Sequence, residues 1–368
     1  MIRSGWRNGR KDWRRSSSKS DGIPVANIYY LLCYAWDEFA PRQMCGIAAE
    51  EFSDTLHLFS HLLLVGLRAL HRRGLETGYT PVEEAPSTVR GRILFGQTIR
   101  LRVVQPKRLH CTFDEMSADI LSNQILKATL IRLLGAQALG GQLRAELRNA
   151  LALLPGVRDV ELNARVFHQV RLHQNNRLYL FLINICRFFY ESLEAQDRPG
   201  QYRFRDVDRD EKRMRRVFEK FVRNFFSRRQ RVFEVKKERS DWFATAMEGS
   251  DFKWLPQMET DVTLRSAGRT IIVECKYTES LFQRRFFSDK LRSSHLYRLC
   301  AYLRNLEGNA EPDRNADGIL LYPTVGVALD QSYLLHGHRV RVKTLDLNQP
   351  WTGIEKEMMS LLEPLAAM

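Results

Sequence analysis

Two apolar runs flank Ala267-Gly268, with Val262 and Leu264 before the pair and Ile271, Ile272 and Val273 after it. These are strand formers on either side of residues suited to a tight turn, a pattern that predicts an antiparallel β-hairpin. A two-residue turn pairs Ser266 with Arg269, and counting outward sets Asp261 opposite Glu274 and Glu259 opposite Lys276. A three-residue loop with Gly268 in the left-handed region would instead slip the register and split that face.

Elsewhere the spacing is mostly helical. Ile28, Leu31, Leu32 and Ala35 mark one helix, and Asp54 to Arg73 predicts a longer one ended by Gly74. Between Thr88 and Val104 the residues Arg90, Arg92, Arg100 and Arg102 alternate with apolar positions, predicting a basic-faced hairpin that turns near Gly96. Asp114 to Ala138, Gln142 to Leu153 and Arg177 to Leu193 read as amphipathic helices. A helix from Asp210 to Arg228 buries Val217, Phe218, Phe221, Val222 and Phe225. Beyond the 262–273 hairpin come a charged loop with Arg284, Arg285 and Lys290, a helix from Ser293 to Leu306, a strand from Gly318 to Tyr322, and a hairpin carrying Val340 and Val342. A last helix starts at Thr352, which has capping-box spacing to Glu355. Helix, strands, helix, strand is the order of an α/β sandwich.

Length and charge narrow the class. A chain of 368 residues is long enough for two cores. Residues 1–22 hold seven Arg or Lys against two acids and predict a disordered basic tail, leaving one domain over 23–200 and a second over 201–368 where composition shifts. Between Gln201 and Ser240 fifteen basic residues face seven acids, interleaved with phenylalanines. A net charge of +14 and an isoelectric point near 9.7 imply an acidic partner, nucleic acid first among them. No apolar run approaches the ~18 residues of a spanning helix, and the N-terminus lacks a signal-peptide core, so a cytoplasmic protein without membrane association is expected. The six scattered cysteines form no Cys-x-x-Cys pair, and His336-Gly337-His338 reads as a loop between strands. There is no Walker-A sequence, so any nucleotide-driven step belongs to another chain.

The candidate chemistry sits on the first hairpin. Asp261, Glu274 and Lys276 share one face, because opposed residues have Cβ atoms roughly 5 Å apart and alternate residues project together. Two carboxylates are hard oxygen ligands for Mg²⁺ that leave room for water and a phosphate oxygen. A neighbouring lysine suits the orientation of that water or the stabilisation of developing charge. Glu274-x-Lys276 alone fits a surface ion pair better than a catalytic pair, and Asp261 on a strand that can pair in register brings the two readings level. Glu219, beside Val222 and Phe226, is either a solvated helix residue or a water-mediated member of the metal shell.

The order of a helix with Glu219, then Asp261, then Glu274-Cys275-Lys276, then a helix with Tyr297 and Tyr302 resembles the PD-(D/E)XK nuclease superfamily. More narrowly, Asn27 to Leu32, Tyr34-Ala35-Trp36, Arg73 to Glu76, Arg90 to Ile93, Thr112-Phe113-Asp114 and Met258 to Asp261 resemble the McrC family, nuclease subunits of methylcytosine-dependent McrBC restriction systems. The resemblance implies a mixed α/β partner-binding domain followed by a restriction-endonuclease-like α/β nuclease domain. It implies that Asp261 and Glu274 bind Mg²⁺ and that Lys276 assists the attacking water. It further implies cleavage of double-stranded DNA containing modified cytosine, and a hexameric McrB-like AAA+ GTPase whose ring the N-terminal domain enters and stimulates. One departure is Arg298, at a position where related nucleases often carry Gln. The competing readings are a noncatalytic DNA-binding activator of an AAA+ motor, against which the intact Asp261, Glu274 and Lys276 set argues, and an RNA-directed nuclease. Arg90 and Arg92, two apart and flanking Gly91, would contact DNA phosphates, a partner's ring or solvent; the resemblance favours the ring.

Overall fold

The computed structural model describes residues 23–39, 49, 52, 54–86, 88–102, 108–172, 176–277, 282–285, 288–324 and 328–364. The expected basic tail over 1–22 lies outside them. Close Cα packing divides the chain into two compact units, one over Ile28–Phe225 and one from Phe226 onward together with the described residues before Ile28. The divisions fall inside two helices, Val25–Trp36 and Glu211–Arg229, the second of them past the compositional shift at Gln201. Residues up to Phe225 serve the first core, where Tyr34 packs against Phe221 and Phe225.

The first unit is helical with a small sheet. Its elements are α1 (Val25–Trp36), α2 (Thr55–Arg73), β1 (Gly78–Glu84), β2 (Arg92–Ile93), α3 (Phe95–Arg102), β3 (Cys111–Ser117), α4 (Leu121–Leu134), α5 (Gly141–Ala150), α6 (Ala164–Gln169), α7 (Arg177–Ser192), β4 (Leu193–Ala195), β5 (Tyr202–Phe204) and α8 (Glu211–Arg229), which runs through the division. The bounds of α2 follow from its caps: the Asp54 side chain accepts from the His57 N–H, and Gly74 ends the helix at φ +89°. Helices α2, α4, α5 and α7 pack together. Their interior includes the Phe59 and Phe188 rings, 4.5 Å between centroids. Asn123, fully buried on α4, ties this unit together. Its amide donates to the carbonyls of Glu76 (3.0 Å) and Ala118 (2.7 Å), while its oxygen accepts from the Tyr179 hydroxyl at 2.7 Å.

Two expectations in this unit are corrected. The segment assigned to one helix from Asp114 begins as β3, which pairs with β1 and β2 in the order β1-β3-β2; the helix starts only at Leu121. Sheet pairing outweighs the helical spacing there. The hairpin expected over Thr88 to Val104 is a two-residue strand followed by α3. Gly91 takes φ +64°, and a Cβ there would lie 2.3 Å from the Thr112 carbonyl oxygen. That close approach turns the chain out of extended geometry, so Arg90 precedes the strand and does not share a strand face with Arg92.

The second unit is an α/β sandwich. Its elements are β6 (Glu234–Lys236), β7 (Arg239–Ser240), β8 (Met258–Glu259), β9 (Val262–Arg265), β10 (Thr270–Cys275), β11 (Phe282–Arg285), β12 (Ser288–Leu291), α9 (Ser293–Leu306), β13 (Asp317–Thr324), β14 (Asp330–Leu335), β15 (His338–Asp346) and α10 (Trp351–Ser360). Six strands form a mixed sheet in the order β14-β15-β13-β10-β9-β6, with β10, β13 and β15 parallel at its centre. Leu299, Tyr302, Leu303 and Leu306 of α9 pack on Ile272, Leu320, Tyr322, Val340 and Val342. Helix α10 packs against β15 through its buried Ile354 and Met358. All six residues of β10 are buried, as expected of a central parallel strand covered on both faces.

Two local expectations change here as well. The charged loop around Arg284 is the antiparallel ribbon β11–β12. The capping box at Thr352 does not form: α10 starts one residue earlier, after Pro350, and Glu355 instead accepts from the Trp351 indole at 2.9 Å. His336 and Gly337 make the turn between β14 and β15 at positive φ. Cys33, Cys111, Cys186 and Cys275 are buried and Cys300 is half-buried.

Replacing Asn123 with Leu leaves the Glu76 carbonyl and the Tyr179 hydroxyl without their buried partner. Urea unfolding should show a loss of about 2 kcal/mol or more; an unchanged midpoint would contradict the role given to this residue.

Candidate active site

The β9–β10 hairpin has the register read from the sequence. Arg265 pairs with Thr270, Leu264 with Ile271, Thr263 with Ile272 and Val262 with Val273, and the Ser266 N–H donates to the Arg269 carbonyl at 2.9 Å. On the other edge of β9 the ladder slips. Lys236 pairs with Thr263, but Arg239 pairs with Glu259, so Lys237 and Glu238 face three residues, Thr260, Asp261 and Val262. This is a β-bulge. It is closed by the Thr260 N–H donating to the Glu238 carbonyl (3.0 Å) and the Glu238 N–H donating to Thr260 Oγ1 (3.1 Å).

The bulge aims Asp261. In a regular ladder the Cys275 N–H would donate to a main-chain carbonyl next after the Val262–Val273 pair. Here Asp261 Oδ2 accepts from it at 2.9 Å. The same bulge overturns one expectation, that Glu259 stands opposite Lys276. Glu259 leaves with β8 and instead pairs with Lys237 and Arg239, the Lys237 hydrogen bond leading in holding its carboxyl at about 2.

Glu274 projects from β10 toward α9 and is fully buried; Asp261 is 5% exposed. The hairpin surface inferred from the sequence is therefore an enclosed site. Lys276 Nζ donates to Glu274 Oε1. Arg298 on α9 reaches the same oxygen with Nε at 3.1 Å and Asp261 Oδ1 with Nη2 at 3.6 Å. Its Nε also donates to the Tyr302 hydroxyl at 2.8 Å, and that hydroxyl donates to the Glu259 carbonyl at 2.5 Å. Glu274 Oε2 is buried and, among the described residues, has no hydrogen-bond partner. Burial, reinforced by the Asp261 charge, pushes the Glu274 carboxyl up to about 7 against the pull of Lys276 and Arg298.

The structure thus brings together Asp261, Glu274 and Lys276. Glu219 is half-buried on α8 within the first unit. Arg90 and Arg92 are exposed, also in the first unit. The residue that the pattern undervalued is Arg298. It stands one turn before buried Tyr302 on the same helix face, and that i, i+4 spacing was the available signal.

The donor set fits a small divalent cation. A buried carboxylate oxygen lacking a partner lies beside a second carboxylate, and Mg²⁺ is characteristically held by one or two carboxylates with the remainder water.

Comparison with known proteins follows the same lines. The family described as McrBC 5-methylcytosine restriction system component matches residues 28–323. The type IV methyl-directed restriction enzyme EcoKMcrBC of Escherichia coli K12 is 33% identical over 341 residues, covering 93% of this chain and 97% of that protein. Among solved structures, the half-complex from the tetradecameric assembly of Thermococcus gammatolerans McrB AAA+ hexamers with bound McrC has a chain that aligns at a TM-score of 0.59 and 17% identity. The alignment covers 92% of this chain and 75% of that one, a likeness of fold. Among the described residues no helix is long and apolar enough to cross a membrane.

The Glu274 shift has a measurable sign. Between about 4.5, its ordinary value, and about 7 the folded metal-free chain holds this proton and the unfolded chain does not. Stability from this group is full below the lower value and lost as pH rises through the upper one. Thermal melts in EDTA should fall across that window, and Glu274→Gln should flatten the fall; equal slopes in the two proteins would contradict the buried, protonated carboxyl.

Proposed function

This chain belongs to the McrBC 5-methylcytosine restriction system component family, and from that membership we propose that it is a Mg²⁺-dependent endonuclease subunit of a modification-dependent restriction complex. Its second unit would be a PD-(D/E)XK nuclease domain. The observation that carries the reading is the buried Asp261–Glu274 pair with Lys276 on one carboxylate oxygen and the other oxygen unpartnered.

Asp261 and Glu274 would hold the metal, which when bound supplies a Lewis acid and an activated water for phosphodiester hydrolysis. The protein's own part follows from the geometry. The Asp261 side chain is locked by the Cys275 N–H, so its Oδ1 is presented without a search over rotamers. Lys276 Nζ is a donor in a site screened from solvent, its side chain 14% exposed, where a cation holds an attacking water or developing negative charge far more effectively than in bulk. Tyr302 of α9 and Tyr322 of β13 are buried in the cluster between that helix and the sheet.

The substrate in this reading is double-stranded DNA carrying modified cytosine, as the name of the family suggests, and the chain's net positive charge supports a phosphate-rich ligand. The partner would be an McrB-like AAA+ GTPase, since the chain has no Walker-A sequence and the solved relative was captured with McrB AAA+ hexamers. Because both carboxylates are buried, isosteric variants test the site most cleanly. With partner and methylated DNA present, Asp261→Asn and Glu274→Gln should abolish cleavage while the complex still assembles. Lys276→Ala should slow it on the order of a hundred- to a thousandfold with Mg²⁺ binding retained. Full cleavage by either carboxylate variant would remove the site from consideration.

The first unit would engage the GTPase, with exposed Arg90 and Arg92 on either side of the Gly91 turn offering cations to acidic or carbonyl groups of the ring. The double variant Arg90→Ala, Arg92→Ala should lose stimulation of GTP hydrolysis at moderate salt, where nonspecific contacts are screened. Wild-type stimulation would return these arginines to DNA or solvent.

A further inference from the structure

Arg298 reaches both carboxylates of the site. Its Nε lies 3.1 Å from Glu274 Oε1, its Nη2 3.6 Å from Asp261 Oδ1, and Nη2 also donates to the Glu259 carbonyl at 3.2 Å. We propose that Arg298 is an exchangeable counter-cation: it occupies the Asp261–Glu274 pair when no metal is bound, competes with Mg²⁺ for it, and turns its guanidinium to the phosphodiester once the metal is seated. This rests on the metal-binding role proposed above for the two carboxylates.

Three observations carry the argument. The first is charge. With both carboxylates ionised, as metal binding requires, Asp261 and Glu274 are balanced by Lys276 and Arg298, and a divalent cation entering beside two cations meets repulsion that removal of one would relieve. The second is asymmetry. Lys276 and Arg298 crowd Oε1 of Glu274 while Oε2 has no partner among the described residues, so the pair is neutralised yet an oxygen stays available to a metal. The third is exposure. The Arg298 side chain is 46% exposed and that of Lys276 is 14% exposed, so Arg298 has a route to solvent and Lys276 stays with the carboxylate. The Arg298 guanidinium carbon lies 5.6 Å from the Tyr302 ring centroid, a surface contact that the head gives up when it turns away. A guanidinium released beside the metal is suited to a phosphate, whose oxygens match its planar fork.

The test is calorimetric titration of Mg²⁺ into the metal-stripped full-length chain, in the wild type, Arg298→Gln and Arg298→Lys, with Asp261→Asn as the ligand-deleted control. Arg298→Gln should bind about tenfold more tightly (about 1.4 kcal/mol), with a larger Mg²⁺-induced rise in Tm, and Arg298→Lys should stay near wild type. With partner and methylated DNA at Mg²⁺ concentrations saturating for both proteins, Arg298→Gln should nevertheless cleave at least tenfold more slowly. Equal Mg²⁺ affinity in wild type and Arg298→Gln would overturn the competition, and tighter binding with an undiminished rate would overturn the handover to phosphate. Binding that persists in Asp261→Asn, or is absent from every protein, would instead defeat the carboxylate assignment and this proposal with it. If Arg298→Gln melts below the assay temperature, Arg298→Met carries the same comparison.

Discussion

The site depends on one extra residue in one strand. The bulge at Thr260 to Val262 breaks the ladder between the 234–240 and 258–265 segments, and the Asp261 carboxylate takes a hydrogen-bond donor that a main-chain carbonyl would otherwise claim. Without it, Asp261 would sit on a regular strand with a rotatable side chain. With it, the carboxylate is fixed against β10 beside Glu274. The surrounding sheet makes this arrangement costly to disturb, since β10 is central and buried on both faces.

Burial sets the chemistry that follows. A carboxylate with no solvent exposure is unfavourable as an anion unless cations face it, and Lys276 and Arg298 supply them. They supply them on one oxygen only. Glu274 is thus held in readiness, its proton affinity raised toward neutrality and one oxygen without a partner. A divalent cation would resolve both conditions together, which gives the proposed metal site a physical basis beyond the residue types alone.

Much of the site was legible in the chain because it rests on local rules. The Ala267-Gly268 turn determined the pairing of Ser266 with Arg269, a register that the hairpin keeps as far as Val262 and Val273, and counting one step further sets Asp261 opposite Glu274. Asp54 and Gly74 bounded α2 through their caps. What was illegible depends on long-range pairing. The bulge is invisible when residues are counted along a single strand, so Glu259 was carried too far and placed against Lys276. Cys111–Ser117 became a strand because β1 and β2 pair with it, a fact no window around Asp114 contains. Burial of Glu274 follows from β13 running parallel beside β10, and Arg298 reaches the site only because α9 lies across that sheet.

The central claim is that Asp261 and Glu274 together hold a divalent cation. Crystals of the full-length chain soaked in Mn²⁺, with diffraction recorded at the manganese edge, test it most directly. The account predicts an anomalous peak bonded to oxygens of both carboxylates, with the Arg298 guanidinium withdrawn from Glu274. No peak at the site, or one that leaves Arg298 in place and engages neither Asp261 nor Glu274, would contradict it.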